Sequence, residues 1–283
     1  MKTGLIDVGG GMRGIYCTGI LDRCLDEGIH FDGCVGVSAG CANIASFMAG
    51  QRGRNYRFYT EFAFRKEYMS WEQYFKTGSY INLPYIYGGL TNTGGEYPID
   101  YDTLMADPAP FCVVAANAET GQARYFQKAD MPRDHYDVFM ASSCVPGVDK
   151  PVVIDGVPYF DGALGDPVPL KWMLGEGYDR IVLLLTKPLD FIRTQGKDRL
   201  AARLIHRKYP CAAEGLLRRA GRYNEAVAQA RQLAAEGKVL ILAPEDITGV
   251  DTLKKDHQAL DRLYHAGYQD AEVIGRWLAS GNE

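Results

Sequence analysis

Two short apolar runs near the start of this 283-residue chain each end in a glycine-rich turn, and each turn opens a stretch of helical periodicity. Residues 4–8 lead into Gly9-Gly10-Gly11-Met12-Arg13-Gly14, and residues 31–35 lead into Gly36-Val37-Ser38-Ala39-Gly40. Ile15, Ile20, Leu21, Cys24 and Leu25 then recur at helical spacing, as do the apolar residues of 42–48. Strand, tight turn and helix, repeated at once, leave few architectures open. Strands joined by helical crossovers lie parallel, so the chain should open an α/β layer.

The remainder extends that layer. Residues 111–116 form an apolar run, turned by Asn117-Ala118-Glu119-Thr120-Gly121 into a second strand over 122–126. A helix is expected over 134–142. Residues 152–154 and 157–160 flank Asp155-Gly156, a strong two-residue hairpin signal that delivers Asp161-Gly162-Ala163 at its end. Further strands are expected over 180–186 and 238–243, and an amphipathic helix over 252–278. Residues 52–90 carry twelve aromatic side chains among Arg and Lys. They read as helices laying an aromatic stripe on the sheet, with an acyl-pocket wall, a lid or a membrane contact as the functional alternatives. The basic run from Arg193 to Arg222 reads as a solvated helix face, with anionic lipid head groups as its alternative partner. No repeat or linker divides the chain, so residues 1–283 are expected to form one domain.

Composition narrows the function classes. Formal net charge is −4, which gives no bulk attraction to nucleic acid. The seven cysteines form no CxxC pair, so neither a zinc site nor a disulfide framework is indicated, and a reducing compartment is the simplest setting. No apolar leader opens the sequence and no run is long enough to span a bilayer, so a cytoplasmic location is expected.

The second turn fits G-x-S-x-G. Flanking glycines at Gly36 and Gly40 relieve crowding at a strand-to-helix bend, which exposes the Ser38 hydroxyl above the sheet. A serine needs a base and an oxyanion stabiliser, and the first turn offers main-chain N–H groups for the second task. The first turn also fits the dinucleotide fingerprint G-x-G-x-x-G. That rival needs an acid at the end of the second strand, yet Asp32 precedes the strand and the serine turn occupies its end. Acyl transfer is therefore preferred to nucleotide binding. His30, His135, His206, His257 and His265 all lie away from strand ends and glycine turns, where packing or surface roles suit them. Asp161, by itself, reads better as a turn carboxylate capping backbone N–H groups.

Together these pieces resemble the patatin-like phospholipase family, whose pattern is a G-G-G-x-[RK]-G turn, a G-x-S-x-G elbow and a later D-G-[GA]. They stand here as Gly9 to Gly14, Gly36 to Gly40 and Asp161-Gly162-Ala163, in the family's order. Ala141-Ser142-Ser143-Cys144-Val145-Pro146 is similar to the A-S-x-x-x-P stretch before the aspartate hairpin. The resemblance covers roughly residues 4–170. It implies a three-layer α/β/α sandwich around a mostly parallel sheet. It also implies a dyad, with Ser38 as nucleophile and Asp161 as general base. The glycine turn would form the oxyanion hole through amides around Gly10, Gly11 and Met12, with Arg13 fixing the loop. The implied reaction is hydrolysis of a phospholipid, lysophospholipid or simpler acyl ester, without metal or cofactor. Acyl transfer and thioester hydrolysis by the same dyad stay open, as do transient membrane-surface contact and the oligomeric state. Burial is expected to raise the Asp161 pKa, because an ordinary carboxylate is a poor base.

Overall fold

Residues 1–280 are described by a computed structural model whose centre is one mixed sheet of eight strands. They are β1 (Thr3–Asp7), β2 (Gly33–Val37), β3 (Phe111–Asn117), β4 (Ala123–Gln127), β5 (Val152–Ile154), β6 (Val157–Asp161), β7 (Arg180–Leu184) and β8 (Val239–Leu242). The helices are α1 (Ile15–Asp26), α2 (Ala39–Met48), α3 (Arg54–Thr60), α4 (Trp71–Thr77), α5 (Tyr101–Ala106), α6 (Asp137–Ser143), α7 (Leu170–Gly175), α8 (Gly196–Ile205), α9 (Pro210–Ala235), α10 (His257–Asp270) and α11 (Glu272–Ala279). The pairs β1–β2, β1–β7, β2–β3 and β7–β8 are parallel, while β4 and β6 run antiparallel to β3.

Alternation along the strands builds two cores, because successive side chains leave opposite faces of a strand. Leu5, Cys34, Val113, Val182 and Leu184 join one core with residues of α1, α2, α6 and α10. Ile6, Val35, Val114, Ile181 and Leu183 join the other with Leu170 and Met173 of α7 and Tyr223, Val227 and Ala230 of α9. The result is the expected three-layer α/β/α sandwich. Each wholly buried aliphatic side chain in it contributes roughly 1.5–3 kcal/mol of transfer free energy.

The hairpin signals are realised. Asp155 (φ 51°) and Gly156 (φ 79°) both adopt left-handed backbone between β5 and β6. Positive φ at both central residues is the turn that matches the twist of paired strands. The final helix differs from the expectation over 252–278. Residues 252–256 stay outside it, Asp256 caps α10 through the Ala259 amide at 2.9 Å, and α10 gives way to α11 at Ala271. The basic run is also not uniformly solvated. Arg193 and Arg219 pair with the buried Asp198, and Arg222 donates to the carbonyls of Leu164 and Gly165.

One register detail positions the rest. Along one edge of β3, β4 pairs with residues 112–116. Because a strand has only two edges, β2 (paired with 111–114) and β6 (paired with 115–117) must share the other. Their carboxyl ends therefore meet head to head beside β3, with Val37 opposite Val114 and Asp161 opposite Ala115.

Candidate active site

The Ser38 bend is strained as the motif requires. Its backbone sits at φ 56°, ψ −132°, a region that side chains rarely adopt and that costs about 1–3 kcal/mol. Two contacts hold it there. The Ser38 amide donates to Ser142 Oγ at 2.8 Å, and that hydroxyl donates to the Val114 carbonyl at 2.6 Å. A Cβ at Gly36 would stand 2.5 Å from Cys41 Cα, and one at Gly40 would stand 2.4 Å from the Asp7 carbonyl oxygen. Only glycine lets α2 start this close beneath the turn.

Asp161 ends β6 on the same edge. Its own amide donates to Cys144 O at 2.8 Å, and one carboxylate oxygen accepts the Ala163 amide at 2.9 Å. Burial pushes this carboxyl above its ordinary range. The Ser38 hydroxyl, the Ala163 amide and the positive charges of Arg219 and Arg193 pull it partly back. Gly162 packs under Val114 and leaves the room that this close approach needs. The structure thus brings Ser38 and Asp161 together, and it does so through β3.

The glycine turn lies beside them, but its six residues are not equivalent. Gly9, Gly10 and Gly11 have φ of 62°, 131° and 61°. The Gly9 amide donates to Asp7 Oδ1 at 2.8 Å, and the Met12 amide donates to the Thr252 carbonyl at 3.1 Å. Arg13 and Gly14 fall inside the short helical turn Gly11–Gly14, where i→i−3 bonds engage their amides. The Gly10 and Gly11 amides have no acceptor among the described residues. Of the expected donor set, these two remain free to meet a developing oxyanion. Met12, expected among the donors, is committed to Thr252. Arg13 does pin the loop: only 7% of its side chain is exposed, and it pairs with Asp251 and donates to Thr252 Oγ1 at 3.2 Å. Burial would raise the Asp251 carboxyl, but the Thr252 amide, Lys197 and Arg13 hold it down at about 2.

Asp7 escaped the sequence reading as a site residue. It is wholly buried at the end of β1, between the two turns, and bonds both the Gly9 amide and Asn43 Nδ2 (2.9 Å). Burial raises its pKa to about 6, against the hydrogen bonds from Asn43 and Gly9. A charged residue closing a buried strand just before a glycine turn was the available signal.

Ser38 opens onto a cavity of about 100 Å³. Phe58, Tyr59, Met69, Leu83, Ile86 and Phe139 are among its walls, so the aromatic stretch 52–90 furnishes much of the lining. All five histidines are exposed and none lines this cavity. The Asp32 carboxylate accepts the Thr3 amide at 2.6 Å and stands at the amino end of β2, not at the carboxyl end that a ribose would need. Among the described residues, no group of three or more His, Cys, Asp or Glu side chains is placed to hold a metal ion.

A family model described as Patatin-like phospholipase matches residues 8–173, and another, described as Domain of unknown function (DUF6363), matches residues 209–274. Among curated proteins, the Uncharacterized protein YjjU of Escherichia coli (strain K12) is 27% identical over 198 residues, covering 68% of this chain. The chain spans about half the length of that relative, 54% of it. Among solved structures, VipD from Legionella pneumophila aligns with 99% of this chain and 67% of its own, at 14% identity and a TM-score of 0.49.

Proposed function

Because the chain belongs to the patatin-like phospholipase family, we propose that it is a serine lipid acyl hydrolase working through Ser38 and Asp161. The observation that carries this reading is the shared edge of β3, where Val37 faces Val114 and Asp161 faces Ala115. In the proposed reaction Ser38 Oγ attacks the ester carbonyl while Asp161 takes its proton. The Gly10 and Gly11 amides receive the oxyanion, each such donor being worth about 10²–10³ in rate. Asp161 returns the proton to the leaving alcohol, and an acyl-serine remains. Asp161 then deprotonates a water molecule that attacks the acyl-serine, and returns that proton to Ser38 Oγ as the fatty acid leaves. The burial that raises the Asp161 pKa makes it a stronger base for both steps.

An apolar cavity suits an acyl chain as the group presented to Ser38. Transient contact with a lipid surface fits two exposed apolar pairs: Trp71 and Phe75 on α4, and Leu200 and Leu204 on α8 among Lys197, Arg199 and Arg203. The segment after α6 links both to the cavity, since Val145 lines it, Gly147 lies against Leu204 and Lys150 against Gly78. Among the described residues no helix is long and apolar enough to cross a membrane.

The test is a panel of p-nitrophenyl and phospholipid esters with wild type, Ser38→Ala and Asp161→Asn, alongside fluorophosphonate labelling. Ester cleavage and labelling that both persist in Ser38→Ala would sink the reading.

A further inference from the structure

The cavity at Ser38 is lined by a cation that has no counter-charge among the described residues. Arg54 is the first residue of α3, is 3% exposed, and lines the same cavity as Ser38. Its partners are all neutral: Nη1 donates to Ser46 Oγ at 3.1 Å, and Nη2 donates to Thr91 Oγ1 at 3.2 Å and to the Tyr97 carbonyl at 2.9 Å. Nε is buried and has no acceptor among the described residues. No carboxylate pairs with this guanidinium there, unlike Arg13 with Asp251 or Arg219 with Asp198. Burial lowers its pKa only to about 10, so it keeps its charge at neutral pH.

A buried charge is unfavourable unless something compensates it. The rings of Phe58 and Tyr97, with centroids 4.6 Å and 5.7 Å from Arg54 Cζ, offer partial relief. They leave Nε–H and the second Nη1–H unanswered. Both Nη2 hydrogens are already taken, so these two remain as single charge-assisted donors, either of which suits one oxygen of a carboxylate.

The distance to the nucleophile turn sets what that carboxylate belongs to. Ser46 lies eight residues beyond Ser38 in the same helix-opening segment, a rise of about 12 Å along α2. Ala42 and Ala45 line the cavity between these points, and their small side chains leave the path along the helix open. We propose that Arg54 is a specificity-determining residue that binds a carboxylate at the far end of the acyl chain, so that the preferred substrates are esters of long-chain dicarboxylic acids. This rests on the reading of Ser38 as the acyl-accepting nucleophile. A purely structural Arg54, clipping the Thr91–Tyr97 stretch to α2, would be indifferent to the end group of the chain.

The experiment pairs p-nitrophenyl esters of a straight-chain monocarboxylic acid and of the dicarboxylic acid of equal carbon count. Wild type should favour the dicarboxylic half-ester by about tenfold or more in kcat/KM, as expected for a charge-assisted hydrogen bond. Arg54→Met should reverse that preference, and Arg54→Lys should keep part of it. A readout independent of turnover uses full-length Ser38→Ala protein. The free dicarboxylic acid should raise its melting temperature more than the matching monocarboxylic acid, and the difference should vanish when Arg54→Met is added. Plain esters cleaved without preference, with equal stabilisation by both acids, would overturn the Arg54 assignment while leaving the hydrolase reading intact. Selective stabilisation by the dicarboxylic acid with no ester cleaved would do the reverse. Should Arg54→Met fail to fold, the two wild-type comparisons and Arg54→Lys still decide the question.

Discussion

The amide of Met12 donates to the carbonyl of Thr252 at 3.1 Å, tying the first glycine turn to a segment from the far end of the chain. Asp251, the residue before that acceptor, also holds the buried Arg13. The matched phospholipase segment ends at residue 173, so its glycine turn is braced from outside the match.

Asp251→Ala should therefore impair the turn from a distance. It leaves Arg13, with 7% of its side chain exposed, without its carboxylate. Because Asp251 itself is 41% exposed, the loss of stability should be modest, about 1–2 kcal/mol. Ester kcat should fall about tenfold or more as the Gly10 and Gly11 amides lose their fixed direction. Thermal melts and steady-state kinetics check both, and unchanged kcat would mean that the turn holds without its brace.

Asp161→Asn should separate chemistry from folding. The amide oxygen can still accept the Ala163 N–H that now bonds Asp161 at 2.9 Å. The expected result is a near-native melting temperature with kcat lowered about 10²–10⁴-fold, the range for removing a general base. Ser38→Ala should instead abolish fluorophosphonate labelling outright, which intact-protein mass spectrometry would read.

The pH profile should carry the mark of a buried base. As the proposed base, Asp161 would act only when deprotonated, and burial raises its pKa. Activity should then fall on the acid side with a midpoint above about 3.9, the usual Asp value. That limb should disappear from the residual activity of Asp161→Asn. A wild-type midpoint at or below the ordinary carboxylate value would exclude Asp161 as the titrating base.

Asp7 sets a separate dependence, in stability. The folded protein protonates this carboxyl at about 6, whereas an unfolded chain does so near 3.9. Between those values the folded state binds more protons, so the Asp7 contribution weakens as pH rises through the window. Asp7→Asn should flatten the fall in denaturation free energy over this range by on the order of 2–3 kcal/mol. Wild type must be the reference, because burial raises Asp149 to about 6 as well.

Local signals carried much of the architecture. Apolar runs ending in Gly9 and Gly36, and the Asp155-Gly156 turn, depend on backbone sterics within a few residues. They predicted β1, α1, β2, α2 and the β5–β6 hairpin, with β2 found slightly later than expected, at Gly33–Val37. The Ser38 bend was legible for the same reason: only small neighbours at Gly36 and Gly40 allow it. The break between α10 and α11 at Ala271 has no such marker, since neither Gly nor Pro interrupts the periodicity there.

What the sequence alone determined, then, was each local bend and the face of each strand, because φ, ψ and alternation are short-range properties. Tertiary structure decided the rest. It set Asp161 beside the Ser38 turn through a strand edge shared by β2 and β6, and it withdrew the Met12 amide from the donor set. It also enclosed Arg54 beside neutral groups. Which hydrogen bonds are already taken, and which charges stay unanswered, depends on residues far apart in the chain. Apart from Ser46 with Arg54, no short window of sequence contains both partners.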